Sequence, residues 1–217
     1  DTNTDSFYGA LEFQQTHTLR NASVALLLQG EIGRFLYAST YDYPKVHIAK
    51  TYDMSYADTV ILPLISTETL DAISVSSEYT RVEKTLKVSE LRDTFSTLDV
   101  CINSSFEGKH TNCSKCWKCL RTLATLDIAG KLERYAQAFD LNKYKKYREK
   151  YFIKLGIKPD PLVSEILDFA LANNCKFPLT VRLFHTPPIR SLIRGANMVT
   201  VKLKTLIKKV LTHLNYS

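Results

Sequence analysis

The chain reads as a mixed α/β protein, a parallel sheet with flanking helices. Short apolar runs at Phe35–Ala38, Ala72–Val75 and Thr97–Val100 have the length and composition of buried strands, and the stretches between them space their apolar residues helically. Strands alternating with helices pair in parallel through helical crossovers. From about residue 130 the strand signals stop and only helical patterns follow, which predicts a helical extension.

In order, residues 16–30 carry Leu19, Val24, Leu27 and Leu28 among small polar residues, a helix closed by Gly30 and Gly33. Phe35–Ala38 follows as the first strand, 41–50 as a loop, 67–70 as a short helix, and 72–75 as the second strand. A helix is expected over 84–95, and then a third strand over 97–100 that delivers Cys101. Beyond 130, helices are expected at 133–139, 143–155 and 161–172, with Asp160 capping the last of these. Phe177-Pro178 and Thr186-Pro187-Pro188 interrupt the chain before a final helix from about 189.

With 217 residues, 45% hydrophobic and 24% charged, the chain is long enough for one substantial core and a small second one. No apolar run approaches the ~20 residues that a membrane-spanning helix needs, and the first residues have no secretory pattern. Five cysteines without a disulfide-type framework fit a reduced compartment, so a cytoplasmic location is expected. The Asn-x-Ser sequons at Asn21, Asn103 and Asn215 are then chance matches. Charge is unevenly spread, with a net +11 from residue 141 onward against −4 for residues 1–140. Such asymmetry points to a separate module or an anionic partner for the basic half.

Cys101, Cys113, Cys116 and Cys119 lie within CINSSFEGKHTNCSKCWKC. Thiolates are soft ligands, four of them satisfy tetrahedral zinc, and two-residue gaps let successive sulfurs converge on one ion. The bland reading is a set of reduced, buried thiols or a redox pair, but Lys115, Lys118 and Arg121 make the segment polar, which suits thiolates better than a packed core. After the last ligand, Leu120, Leu123, Ala124, Ile128 and Leu132 recur at helical spacing, so the metal would anchor a helix start. Four thiolates leave no open position, which makes the zinc structural.

The pattern CxxCxxCLRTLxxLDxxGKLE, preceded by LDVC, resembles the C-terminal zinc-bearing part of 7-cyano-7-deazaguanine synthase-like proteins of the PP-loop ATP pyrophosphatase superfamily. Upstream, HTLRNASVALLLQ resembles a helix that follows an inner strand in that superfamily, and LPLISTE with SSEYTRVEK resembles its substrate-side loops. The likeness covers roughly residues 1–140. It departs in the eleven residues between Cys101 and Cys113, in Ser114 where the synthase tends to have glycine, and in lacking the Ser-Gly-Gly-x-Asp-Ser loop that cradles pyrophosphate. The 217 residues are therefore expected to be a piece of a longer protein.

The resemblance implies an adenine nucleotide alpha-hydrolase-like fold in 1–129, with a zinc knuckle at 101–119, and a basic helical extension in 130–217. It further implies an intact enzyme that adenylates an oxygen of its substrate with ATP and magnesium, releases pyrophosphate and lets a nitrogen nucleophile displace AMP, an AMP-forming ligase. The substrate is open, a small molecule or a polymer. This chain alone would be inactive. By the same likeness Arg20 and Lys84 are positioned for nucleotide phosphate, Asn21 stands beside Arg20, and Arg81 would steady a pyrophosphate leaving group. The plain alternative for each is a solvated charge.

Asp58 matches a tyrosine-proline-aspartate turn of the synthase, with Ala57 in place of the proline. Glu68, Glu78 and Glu83 are candidates for magnesium or simply exposed carboxylates. His17, His47 and His110 have no spacing that marks a dyad, and His110 is a candidate neighbour of the zinc. In the final helix Val199, Leu203, Leu206, Ile207, Val210 and Leu214 lie opposite Lys202, Lys204, Lys208 and Lys209. It could contact a membrane surface, bind nucleic acid, or pack its apolar stripe on the body with its lysines in water. The rival to the enzyme is a non-catalytic zinc-anchored binding module whose basic tail engages an anionic partner.

Overall fold

The computed structural model describes residues 3–103, 108–157, 160–177 and 181. It is mixed α/β, a small two-stranded parallel sheet with helices, and it divides into two units, Asp1–Lys84 and Thr85–Ser217.

The first unit opens with α1 (Thr4–Tyr8) and α2 (Phe13–Leu27), so the helix expected at 16–30 begins and ends three residues earlier. Arg20 explains the early start. Its guanidinium reaches back to the carbonyls of Tyr8 and Leu11 and lies over the rings of Tyr8 and Phe13, tying the entry of the helix to its second turn. The strands β1 (Arg34–Ala38) and β2 (Asp71–Val75) pair in parallel, Arg34 against Asp71 through Ala38 against Val75. The crossover contains α3 (Asp58–Leu64), which packs on β2. Ala22, Leu62 and Ala72 form the small core of this unit, closed by Phe35, Tyr37 and Ile65. The opposite sheet face carries the paired Leu36 and Ile73, exposed by 57% and 38%.

Residues 67–70 are not helical. The Thr67 hydroxyl accepts from the amides of Thr69 and Leu70, and the backbone closes from the Thr67 amide to the Leu70 carbonyl, a hydroxyl-bonded turn that competes with a helix. The helix expected over 84–95 is two elements, α4 (Arg81–Val88) and α5 (Thr94–Thr97), because the Thr94 hydroxyl donates to the Val88 carbonyl and folds the chain back.

In the second unit the third strand, expected over 97–100, does not form. The side-chain amide of Asn112 takes the place of a strand partner, donating to the Leu98 carbonyl and accepting from the Val100 amide. Helix α6 (Trp117–Ile128) follows the cysteines, and α7 (Leu141–Ile157) and α8 (Pro161–Ala172) pack against it. Residues 133–139 contain only a 3-10 turn, Leu132–Tyr135. Asp160 caps α8 as expected, accepting from the Leu162 amide at 2.9 Å with Pro161 at the first helical position.

Leu123, Leu126, Tyr135, Phe139 and Tyr144 are fully buried in one core with Cys113 and Cys119. The Asp127 carboxylate accepts from Tyr144 and from Arg148, pinning α7 to the end of α6. Among the described residues no helix is long and apolar enough to cross a membrane. The basic helix expected from about 189, with Lys202, Lys204, Lys208 and Lys209, falls outside the described residues.

Candidate metal centre

The four cysteines expected as ligands converge: the Sγ atoms of Cys101, Cys113, Cys116 and Cys119 all lie within 4.8 Å of one another. A tetrahedral zinc with Zn–S bonds of about 2.3 Å needs sulfurs about 3.8 Å apart. Cys113 and Cys119 are 3.9 Å apart and Cys116 and Cys119 3.3 Å, so a single ion fits with adjustments of under about 1 Å.

Backbone amides already face the sulfurs. Asn103 donates to Cys101, Cys116 to Cys113, and Cys119 to Cys116, at 3.4 to 3.5 Å. Cys116 is also the N-cap of α6, so its sulfur meets the positive end of the helix. Although burial alone would raise it, amide bonds from Lys115 and Cys116 and the thiols of Cys101 and Cys116 bring the Cys113 thiol down to about 7. Burial pushes Cys101 and Cys119 up, and for Cys119 the neighbouring Cys116 adds to the rise. A dication reverses this ordering by drawing all four sulfurs into the thiolate form.

Asn112 fixes the ligands' relative position, and the spacing of the cysteines gives no hint of it. It is buried, its side chain bonds Leu98, Val100 and Ala138, and its own amide donates to the Ala138 carbonyl. Val100 precedes Cys101 and Asn112 precedes Cys113, so one side chain joins both ligand-bearing segments. Ser114 sits at φ 57°, the left-handed region that favours glycine. Its hydroxyl bonds the Asn112 carbonyl and the Asp140 amide, which holds a serine in a glycine conformation. His110 is bonded to the Gln137 carbonyl.

The other candidate residues sit in the first unit. Ser39 and Thr40 follow the carboxyl end of β1, and Lys84 and Arg81 reach them: Lys84 Nζ donates to the Ser39 carbonyl at 2.9 Å and its hydroxyl at 2.6 Å, and Arg81 donates to the Thr40 carbonyl at 3.4 Å. Asn21 donates to the Tyr37 hydroxyl at 3.3 Å, while Arg20 is buried against the chain's own carbonyls.

Of the three histidines without a marked partner, His17 has hydrogen-bond partners in Thr18, Tyr37 and Asp53. His17 lies 2.9 Å from the Tyr37 hydroxyl through Nδ1 and 3.3 Å from Asp53 Oδ1 through Nε2. Burial opposes ionisation of Asp53, but His17 and Ser55 outweigh it and hold the carboxyl below its usual range. Asp58, beside them, is buried; Oδ1 accepts from Thr18 at 2.7 Å and Oδ2 has no hydrogen-bond partner. Burial raises its pKa. A carboxyl raised on folding stabilises the fold below its unfolded pKa and loses that contribution as pH rises through the folded value. Asp58→Asn, which cannot ionise, is therefore expected to gain stability relative to the parent as pH rises from about 4 to about 7. Urea unfolding at the two pH values checks this.

Compared with family models, with curated proteins and with solved structures, the chain matches none of them.

Proposed function

We propose that the four cysteines hold one structural zinc ion, and that the chain is the zinc-bearing portion of an ATP-dependent adenylating enzyme of the 7-cyano-7-deazaguanine synthase-like kind. The observation that carries the metal half is the convergence of four sulfurs at the start of α6. Four thiolates in a closed set, two of them buried, provide no position for substrate, so the ion's contribution is to hold 98–101, 112–119 and α6 together.

Two features support the enzyme half besides the motif. Arg81 and Lys84 gather with Ser39 and Thr40 at the carboxyl ends of parallel strands, where open α/β sheets take their ligands. The exposed Leu36 and Ile73 face is what a larger sheet packed on both sides would cover, since parallel sheets are buried on both faces. In the intact protein ATP and magnesium would bind there, with phosphate contacts from Lys84 and Arg81. The fold would be the adenine nucleotide alpha-hydrolase-like one, in a cytoplasmic protein.

The non-catalytic reading draws on Arg20, whose guanidinium is committed to Tyr8 and Leu11. Calorimetric titration with ATP and magnesium separates parts of the enzyme proposal. The 217-residue chain, lacking the Ser-Gly-Gly-x-Asp-Ser sequence, is expected to show no micromolar binding. A longer protein that supplies this loop should bind, and Lys84→Ala should weaken it by about 1.5–3 kcal/mol. A longer protein with the loop and no ATP binding would leave only the zinc scaffold standing.

A further inference from the structure

Trp117 is the chain's only tryptophan, and it stands 48% exposed at the first position of α6, beside the cysteine cluster. An indole left in water at a rigid, metal-adjacent position is an uncommon expense of apolar surface. Cations surround it: the Arg121 guanidinium lies 4.9 Å and Lys118 Nζ 5.7 Å from its ring centroid.

The charged surface continues onto α7. Arg121 lies close enough to Tyr151 to act on its hydroxyl electrostatically, and Tyr147, Lys150, Tyr151 and Lys154 fall at i, i+3, i+4 and i+7 of that helix, one continuous face. Tyr147, Lys150 and Lys154 are exposed. Between residues 108 and 157 the sequence has twelve Lys and Arg against four Asp and Glu. After Asp168 the sequence has no Asp or Glu, so the residues beyond it bring no acidic side chain to balance this charge.

We infer that Trp117, Lys118, Arg121, Tyr147, Lys150 and Lys154 form a binding surface for single-stranded nucleic acid. Bases stack on the indole and phenol rings, and the lysines and arginine take the phosphates. Alternating aromatic rings and cations suit this partner, because each nucleotide offers one π-face and one negative charge and stacking tolerates any base. A duplex hides its faces and a membrane surface offers none. This surface shares no residue with the nucleotide-binding loops proposed for the first unit, and it does not depend on the adenylation reading.

One tryptophan makes the test direct, since fluorescence excited beyond the tyrosine absorption band reports Trp117 alone. The full chain is titrated with a fluorescein-labelled 20-nucleotide oligouridylate, an unlabelled copy, the corresponding duplex and phosphatidylserine vesicles. The expected result is saturable quenching of Trp117 by the single strand, with weaker binding of the duplex. Trp117→Ala should bind about tenfold more weakly. Lys150→Gln with Lys154→Gln, two exposed positions of α7, should lower the slope of log affinity against log salt by about 1.4. Labelled oligonucleotide that binds without quenching Trp117, or an unchanged salt slope in the double variant, would overturn the assignment. So would vesicle binding with a blue-shifted indole in place of oligonucleotide binding.

Discussion

Cys116→Ser is expected to cost on the order of several kcal/mol and to lower the thermal midpoint by more than about 10 °C, because binding energy for a structural metal is folding energy. Three roles meet at this residue. The substituted side chain is one of the four clustered thiols proposed to hold the ion, it caps α6 by accepting from the Cys119 amide, and α6 supplies Leu120, Leu123 and Leu126 to the core. A serine hydroxyl can still cap the helix, so nearly the whole loss belongs to the metal. The parent should respond to a chelator in the same direction.

The pH dependence follows from the thiols. Folding has raised Cys101 and Cys119 above their ordinary value, so in the metal-free form both are protonated at neutral pH and must release those protons to bind. Apparent zinc affinity is expected to fall by at least about a hundredfold per pH unit below neutrality, about tenfold for each proton. Cys113, brought down to about 7, adds a further proton in more acidic solution. Competition with a chromophoric chelator at pH 6, 7 and 8 measures the slope, and a flat profile would mean the sulfurs are not the ligands.

Asn112→Ala is the second large effect, expected to destabilise the second unit by about 3 kcal/mol. The substitution strips the Leu98 carbonyl and Val100 amide of their bonds and opens a void at a site 1% exposed. It also frees the segment that carries Cys101, so zinc affinity should drop about 10–100-fold even though all four thiols remain. Denaturant unfolding and chelator competition on the same variant separate the two losses. A variant with parental stability and affinity would mean that the 98–101 segment is held by something other than this side chain.

The clustering of the four cysteines could be read from the chain because its information is local: three of the four sulfurs fall within seven residues, and the helix that follows repeats its apolar positions. Asn112 could not, since its partners Leu98 and Ala138 are 14 and 26 residues away and nothing in its neighbourhood marks it. Thr97–Val100 has strand composition, yet a side-chain amide satisfies it where a third strand was expected. The 67–70 and 84–95 expectations failed on threonine hydroxyls, which offer the backbone a local alternative that apolar periodicity does not register. His17 found Tyr37 and Asp53 across 20 and 36 residues, a relation that only the crossover between β1 and β2 creates. Helices α7 and α8 were legible to within a few residues because each buries one stripe of a simple amphipathic pattern.

Metal content tests the central claim most directly. Protein prepared without added metal, passed through gel filtration and measured by inductively coupled plasma mass spectrometry alongside native mass spectrometry, should carry about one zinc per chain, and replacement with cobalt should give the intense visible bands of a tetrathiolate site. A zinc content near zero, with all the cysteine thiols free to react under native conditions and no loss of stability on adding a chelator, would contradict it.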